Sequence, residues 1–124
     1  MNKRSTRQKR AIDQVLEEAL GPMSAQEIQV QAATLSPGIS LATVYRIVGD
    51  GAARGALTLV RLDDKIARYE AADRHHHHHF LCESCERVFD ISMPCKLVAT
   101  HVPEHWQVTR HEITLYGHCA SCVA

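Results

Sequence analysis

The spacing of apolar positions changes period along the chain and predicts its elements. Ile12, Val15, Leu16 and Ala19 recur at i, i+3, i+4 and i+7, the signature of one helical face. Ser5 or Thr6 can cap that helix, and Gly21-Pro22 stops it. Ser24-Ala25-Gln26-Glu27 is a capping-box sequence that opens a second helix, with Ile28 and Ala32 facing inward and Leu35-Ser36-Pro37-Gly38 at its end. A third helix starts at the N-cap candidate Ser40. At about 100° per residue, Leu41, Val44, Val48 and Ala52 share its inner side, while Thr43, Arg46 and Asp50 point away and Tyr45 lies on the flank. Gly49 and Gly51 each cost on the order of 1 kcal/mol against alanine inside a helix, so this helix is expected to be short or loosely held at its C-terminal end. After Gly55 the period becomes two. Leu57 to Leu62 and Ile66 to Glu70 flank the polar turn Asp63-Asp64-Lys65, which predicts a hairpin. Further on, strands are expected over His75 to Phe80, Arg87 to Ile91 and Val108 to Tyr116, with a helix from Cys95 to about Val102.

Three short helices and a hairpin predict an N-terminal winged helix-turn-helix, followed by a small α+β, dimer-forming unit. Composition sharpens the division. The chain has 124 residues with 14 basic and 14 acidic side chains, so it is no simple polycation. All nine histidines and all five cysteines lie between His75 and Cys122, which sets a boundary near residue 74. The partition expected is 1–70 for the winged helix, 71–74 for a hinge and 75–124 for the second domain. Without a long apolar run a membrane span is excluded, and the basic N-terminus lacks the apolar core of a signal peptide. A cytoplasmic location is expected, and there paired Cys-x-x-Cys motifs point to metal rather than disulfides.

Residues 1–10 carry Lys3, Arg4, Arg7, Lys9 and Arg10 with no acidic side chain. This basic arm, the outward Thr43, Tyr45 and Arg46 of the third helix, and Arg61, Lys65 and Arg68 of the hairpin could serve double-stranded DNA. Arginine offers a bidentate fork to guanine or phosphate, and Thr and Tyr offer hydroxyls and apolar edges. The alternative is a solvated helix face that happens to carry a tyrosine.

In the second half, Cys82 and Cys85 are separated from Cys119 and Cys122 by 33 residues. Two Cys-x-x-Cys pairs can close a tetrahedral four-cysteine zinc site with no position open to substrate, which makes it structural. Five histidines, His75 to His79, run into the first pair. In an extended strand His77 and His79 share one face and His76 and His78 the other, so one strand can serve two metal sites. Glu70, Asp90, His111 and Glu112 are the nearest candidate partners. His101, His105 and His118 read more simply as solvated surface residues. Cys95 is either a small buried apolar residue or a ligand of the second site.

Together, Ile39-Ser40-Leu41-Ala42-Thr43-Val44-Tyr45-Arg46, the histidine cluster before Phe80-Leu81-Cys82-x-x-Cys85, His111-Glu112-Ile113 and Leu115-Tyr116-Gly117-His118-Cys119-x-x-Cys122 resemble the ferric uptake regulator (Fur) family of metal-dependent repressors. The resemblance implies a homodimer that binds a palindromic operator when loaded with metal, controls genes of metal uptake or homeostasis, and is not an enzyme. It implies structural zinc at Cys82, Cys85, Cys119 and Cys122. It implies a regulatory divalent ion, iron or zinc with manganese as a third option, at Glu70, His77 and His79, with Asp90 as an acidic ligand. His76, His78 and His111 match a further site, where Cys95 is the nearest fourth donor. Tyr45 and Arg46 match major-groove readers, and Arg4 a minor-groove residue. The chain departs from the pattern at Pro22, where many members have a ligand histidine, in the missing acidic fourth ligand of the second site, and at Gly49 and Gly51.

Two other functions remain open from the residues. The first is a peroxide sensor of the same family, using iron at the Asp90 site. The second is a metal carrier or buffer without DNA binding. A zinc hydrolase lacks His-Glu-x-x-His or comparable spacing. No small-molecule substrate and no membrane partner are expected.

Overall fold

The computed structural model describes residues 3–95 and 101–123, and it divides into two compact units, Met1–His75 and His76–Ala124. The first unit contains α1 (Lys3–Glu18), β1 (Met23–Ser24), α2 (Ala25–Ala32), α3 (Leu41–Ala53), β2 (Leu57–Arg61) and β3 (Ala67–Ala71). The apolar faces foreseen for the three helices meet in one core. Ile12, Val15, Leu16, Ile28, Ala32, Val44 and Val48 are all buried there, with Leu41 and Ala52 packed against them.

Local signals explain most boundaries. The Glu27 N–H donates to Ser24 Oγ at 3.2 Å and the Ser24 N–H to Glu27 Oε1 at 3.0 Å, so α2 begins with the reciprocal cap its sequence promised. Ser40 caps α3 by accepting the Thr43 N–H at 3.1 Å. The start of α1 differs from expectation. Its helix runs from Lys3, so the basic arm is helical and Ser5 and Thr6 lie inside the helix rather than at its cap.

The third helix is neither short nor frayed. It continues through Gly49 and Gly51 to Ala53, and the Arg54 N–H closes its end on the Asp50 carbonyl at 3.0 Å. Gly51 is buried, and a Cβ there would meet Leu57 Cδ1 at 2.9 Å. The missing side chain lets strand β2 pass close over the helix, a packing gain that offsets the intrinsic cost of glycine.

The sheet of this unit has three strands in the order β1-β3-β2, all antiparallel. The two-residue β1 was not foreseen, being too short for any periodicity. It pairs Met23 with Tyr69 and ties the start of α2 to the hairpin. Within the hairpin Arg68 is 1% exposed, and its guanidinium forks Asp64 at 2.8 and 3.0 Å. Arg68 is therefore a structural tie, not the phosphate contact its sequence position suggested.

The second unit is built on a sheet of order β5-β4-β6, with β4 (His78–Cys82) antiparallel to β5 (Val88–Ile91) and parallel to β6 (Thr114–Gly117). A single helical turn, α4 (Ala120–Val123), follows. Strand β6 is shorter than expected, leaving His111 and Glu112 outside it. The backbone ladder stops because the Ile113 N–H donates to His78 Nδ1 at 3.2 Å, a side-chain acceptor in place of a strand carbonyl. The helix expected from Cys95 to about Val102 falls largely on residues 96–100, outside the described residues.

Candidate metal centres

Strand β4 and the turns at its two ends position every cluster of donors in the second unit. At its C-terminal end Cys82 is fully buried, and the turn to β5 brings Cys85 beside it. Strand β6 runs parallel alongside, pairing Gly117 with Cys82, and so delivers Cys119 and Cys122 to the same end. The four sulfurs lie within 4.8 Å of one another. Cys85 and Cys119 Sγ are 3.9 Å apart, close to the roughly 3.8 Å that two thiolates span on a tetrahedral zinc with bonds of about 2.3 Å. All five cysteines are free thiols. The donor set fits a closed structural zinc site.

The surroundings favour thiolate. The N–H groups of Cys119 and Cys85 point at Cys82 Sγ, at 3.4 and 3.5 Å, and pull its thiol down to about 5. Arg87 was missed in the sequence. Its Nε donates to Cys85 Sγ at 3.4 Å, which lowers that thiol, and its Nη2 reaches Cys119 Sγ at 4.0 Å. Glu86 aims it there by adopting a left-handed φ of +64°, while the guanidinium lies 5.3 Å from the centre of the Phe89 ring. Cys122 is pushed up to about 12, chiefly by its hydrogen bond with Cys119. An ion entering the cluster must displace its proton.

Further along β4 the histidines separate as alternation requires, although the strand proper begins only at His78. On one face His77 and His79 stand edge to face, 4.9 Å between ring centres. Asp90, opposite His79 on β5, places Oδ1 at 3.4 Å from His77 Nε2 and 3.9 Å from His79 Nε2. This is a half-buried set of two imidazoles and a carboxylate. Glu70 lies on β3 in the first unit, buried, with Oε2 3.8 Å from Arg74 Nη1.

On the opposite face His76, His78, Cys95 and His111 bring their donor atoms within 4.8 Å. His76 and His111 Nε2 are 3.2 Å apart, and His78 Nε2 is 3.0 Å from Cys95 Sγ. His78 is 1% exposed, and burial, reinforced by His76 and His111, keeps it below its ordinary pKa. With Nδ1 accepting the Ile113 N–H, the proton of this neutral ring sits on Nε2 toward Cys95, and an ion taken up at Nε2 requires that proton to move to Nδ1. Cys95 thus joins the histidines instead of packing among hydrocarbon. His118 faces Ser84 Oγ at 2.7 Å and lies outside these sets.

In the first unit Tyr45 and Arg46 are exposed on α3, and Thr43 is half-buried with its hydroxyl bonded to Ser40 Oγ at 2.9 Å. A groove of about 270 Å³ brings Lys9 of α1 beside Arg46 of α3. A second, of about 620 Å³, is lined by Lys3, Arg7 and Arg10, while Arg4 is exposed on the same helix. The cations of α1 and α3 therefore form a polar surface within one unit.

A winged helix joined to a unit rich in convergent thiols and imidazoles defines a metal-responsive transcriptional regulator. Residues 1–116 match the ferric uptake regulator family model, and the chain belongs to that family, whose members are transcription regulators and not enzymes. It is 31% identical over 129 residues to the zinc uptake regulation protein of Mycobacterium tuberculosis, covering 96% of this chain and 94% of that protein. Among solved structures, the Vibrio cholerae ferric uptake regulator matches with a TM-score of 0.69 at 26% identity, over 96% of this chain and 91% of that one. A zinc-bound manganese uptake regulator shares the fold, with a TM-score of 0.78 at 23% identity over 96% and 89%. Among the described residues no helix is long and apolar enough to cross a membrane.

Proposed function

We propose that the chain is a cytoplasmic, homodimeric repressor that binds a palindromic operator when metal-loaded and so controls genes of metal uptake or homeostasis. The observation that carries this reading is the convergence of His77, His79 and Asp90 at the start of β4, a short way in sequence beyond the last wing strand. Glu70, near the end of that wing strand, supplies the ligand from the DNA-binding side, and residues 71–74 act as the hinge. A regulatory ion held jointly by Glu70, His77, His79 and Asp90 then fixes the winged helix relative to the dimerisation domain, 75–124. Cys82, Cys85, Cys119 and Cys122 hold a structural zinc, and His76, His78, His111 and Cys95 form a second regulatory centre.

On DNA, Thr43, Tyr45 and Arg46 read the major groove while Arg4 and Lys9 hold the backbone and minor groove. Dimer symmetry matches two half-sites of the palindrome. Because metal and operator both favour one arrangement, each raises the affinity for the other by the same factor.

The test is selection from a random duplex library by the purified, untagged protein, with zinc, manganese or ferrous iron added or with a strong chelator. A palindrome enriched only with metal is the expected result, with binding lost in Arg46→Ala. Enrichment independent of metal overturns the mechanism, and no enrichment under any metal overturns DNA binding itself.

A further inference from the structure

The ion that a histidine centre prefers depends on its remaining donors, and the two faces of β4 differ in that respect. The His77 and His79 face has a carboxylate, Asp90. The opposite face has a thiol, Cys95, whose sulfur lies 3.0 Å from His78 Nε2. Carboxylate oxygen suits manganese and ferrous iron as readily as zinc, whereas thiolate is a soft donor that favours zinc over both.

We propose that Cys95 makes the centre formed by His76, His78 and His111 selective for zinc, binding it through three imidazoles and one thiolate and discriminating against manganese and ferrous iron. This rests on taking the cluster as a regulatory metal site, and it adds which ion that site accepts.

Three observations support it independently of one another. His76 and His111 nitrogens stand 3.2 Å apart, near the roughly 3.4 Å that two imidazoles span on a tetrahedral zinc with bonds of about 2.05 Å. Four protein donors also complete a four-coordinate shell, which zinc accepts and which leaves a six-coordinate ion short of ligands. Finally, His78 stands among donors: ring contacts join His76, His78 and His111, with centres 4.6 to 5.0 Å apart, and Cys95 stands at the Nε2 edge. Packing of hydrocarbon does not account for a thiol placed there. One thiolate and three neutral imidazoles leave a divalent ion with a net charge of +1, compatible with a half-buried position beside the sheet.

The experiment begins with protein carrying one zinc per chain in the four-cysteine site. Cobalt is then titrated in and the near-ultraviolet thiolate-to-cobalt charge-transfer band is followed. The expected result is a new band as the histidine centres fill, abolished in Cys95→Ser and retained in Asp90→Asn. Competition against a zinc chelator is expected to show Cys95→Ser weakened more than about tenfold for zinc, with its manganese affinity changed far less.

A wild-type protein that takes up cobalt at the histidines without any new thiolate band overturns the proposal, and that arm needs no variant to fold. Equal zinc affinity in wild type and Cys95→Ser also overturns it. Failure of the protein to bind DNA with any metal would instead sink the regulatory reading and leave these spectroscopic outcomes unchanged.

Discussion

The two units use different physics to hold their shape. In the first, twelve buried side chains, most of them from the three helices, form a single cluster that runs from Ile12 and Ile28 to Val44, Val48 and Tyr69. In the second, the buried apolar side chains among the described residues are Leu81, Cys82 and Val88, and buried beside them is an imidazole, His78. Transfer of hydrocarbon from water can stabilise the first unit by itself. A sheet of three short strands cannot draw enough from three such side chains, and small folds of that kind are held by cross-links, ions or association with a second copy. The difference leads to an expectation: the winged-helix unit keeps its fold without metal, whereas the second unit leans on ions held at its donor clusters.

The largest effect follows directly. Stripping the protein with a strong thiol-competent chelator removes an interaction worth on the order of 10 kcal/mol in small zinc-dependent folds. Amide hydrogen exchange should then become fast across His78–Cys82 and Thr114–Gly117 while α1, α2 and α3 keep their protection. Cys82→Ser should reproduce the loss, because that sulfur is fully buried and takes N–H bonds from both knuckles. Retained protection of β4 and β6 after metal analysis confirms removal would break the comparison.

The converse substitution probes the other unit. Ile28 is completely buried on α2, and Ile28→Ala is expected to cost about 3 kcal/mol from lost burial and the cavity left behind. The cost should be the same with metal and after chelation, read from thermal unfolding of the helical signal. A cost that depends on metal would mean the two units share one cooperative transition.

These differences also decide what was legible in the sequence. The helices of the first unit could be read because each buries one periodic face, and α2 and α3 announce their starts with Ser24 and Ser40. Alternation likewise sorted His76 and His78 from His77 and His79, since strand geometry acts on any side chain. What escaped were long-range effects. Strand β1 has two residues and exists only because Tyr69 and Arg68 present a free edge. Gly51 looked like a helix breaker until Leu57 was seen to need its space. Arg87 carries no spacing signal, and its role appears only once the turn at Glu86 folds it back over the thiols. Likewise β6 is short because His78 captures the Ile113 amide, a competition between side chain and ladder that no local pattern encodes.

The smallest effect concerns Asp64, the exception to apolar control in the first unit. Arg68 is buried among the wing strands and its guanidinium is forked by Asp64, which also accepts the Ile66 N–H at 3.1 Å. The Arg68 hydrogen bond, outweighing the penalty of burial, holds the Asp64 carboxyl below its usual value. A lowered folded-state value means that the unfolded chain takes up protons first as pH falls. The stabilisation is therefore complete above the ordinary aspartate range near 4 and fades as pH drops through the lower folded-state value. The carboxylate is 23% exposed, so solvent screening keeps the effect modest, and Asp64→Asn is expected to cost about 1 kcal/mol at neutral pH. Denaturant unfolding of the helical signal, run in chelator to keep the second unit constant, should show wild type and variant converging as pH falls below the ordinary aspartate range. If the gap stays constant with pH, the fork acts through shape rather than charge, and the wing is held as the core is, by packing alone.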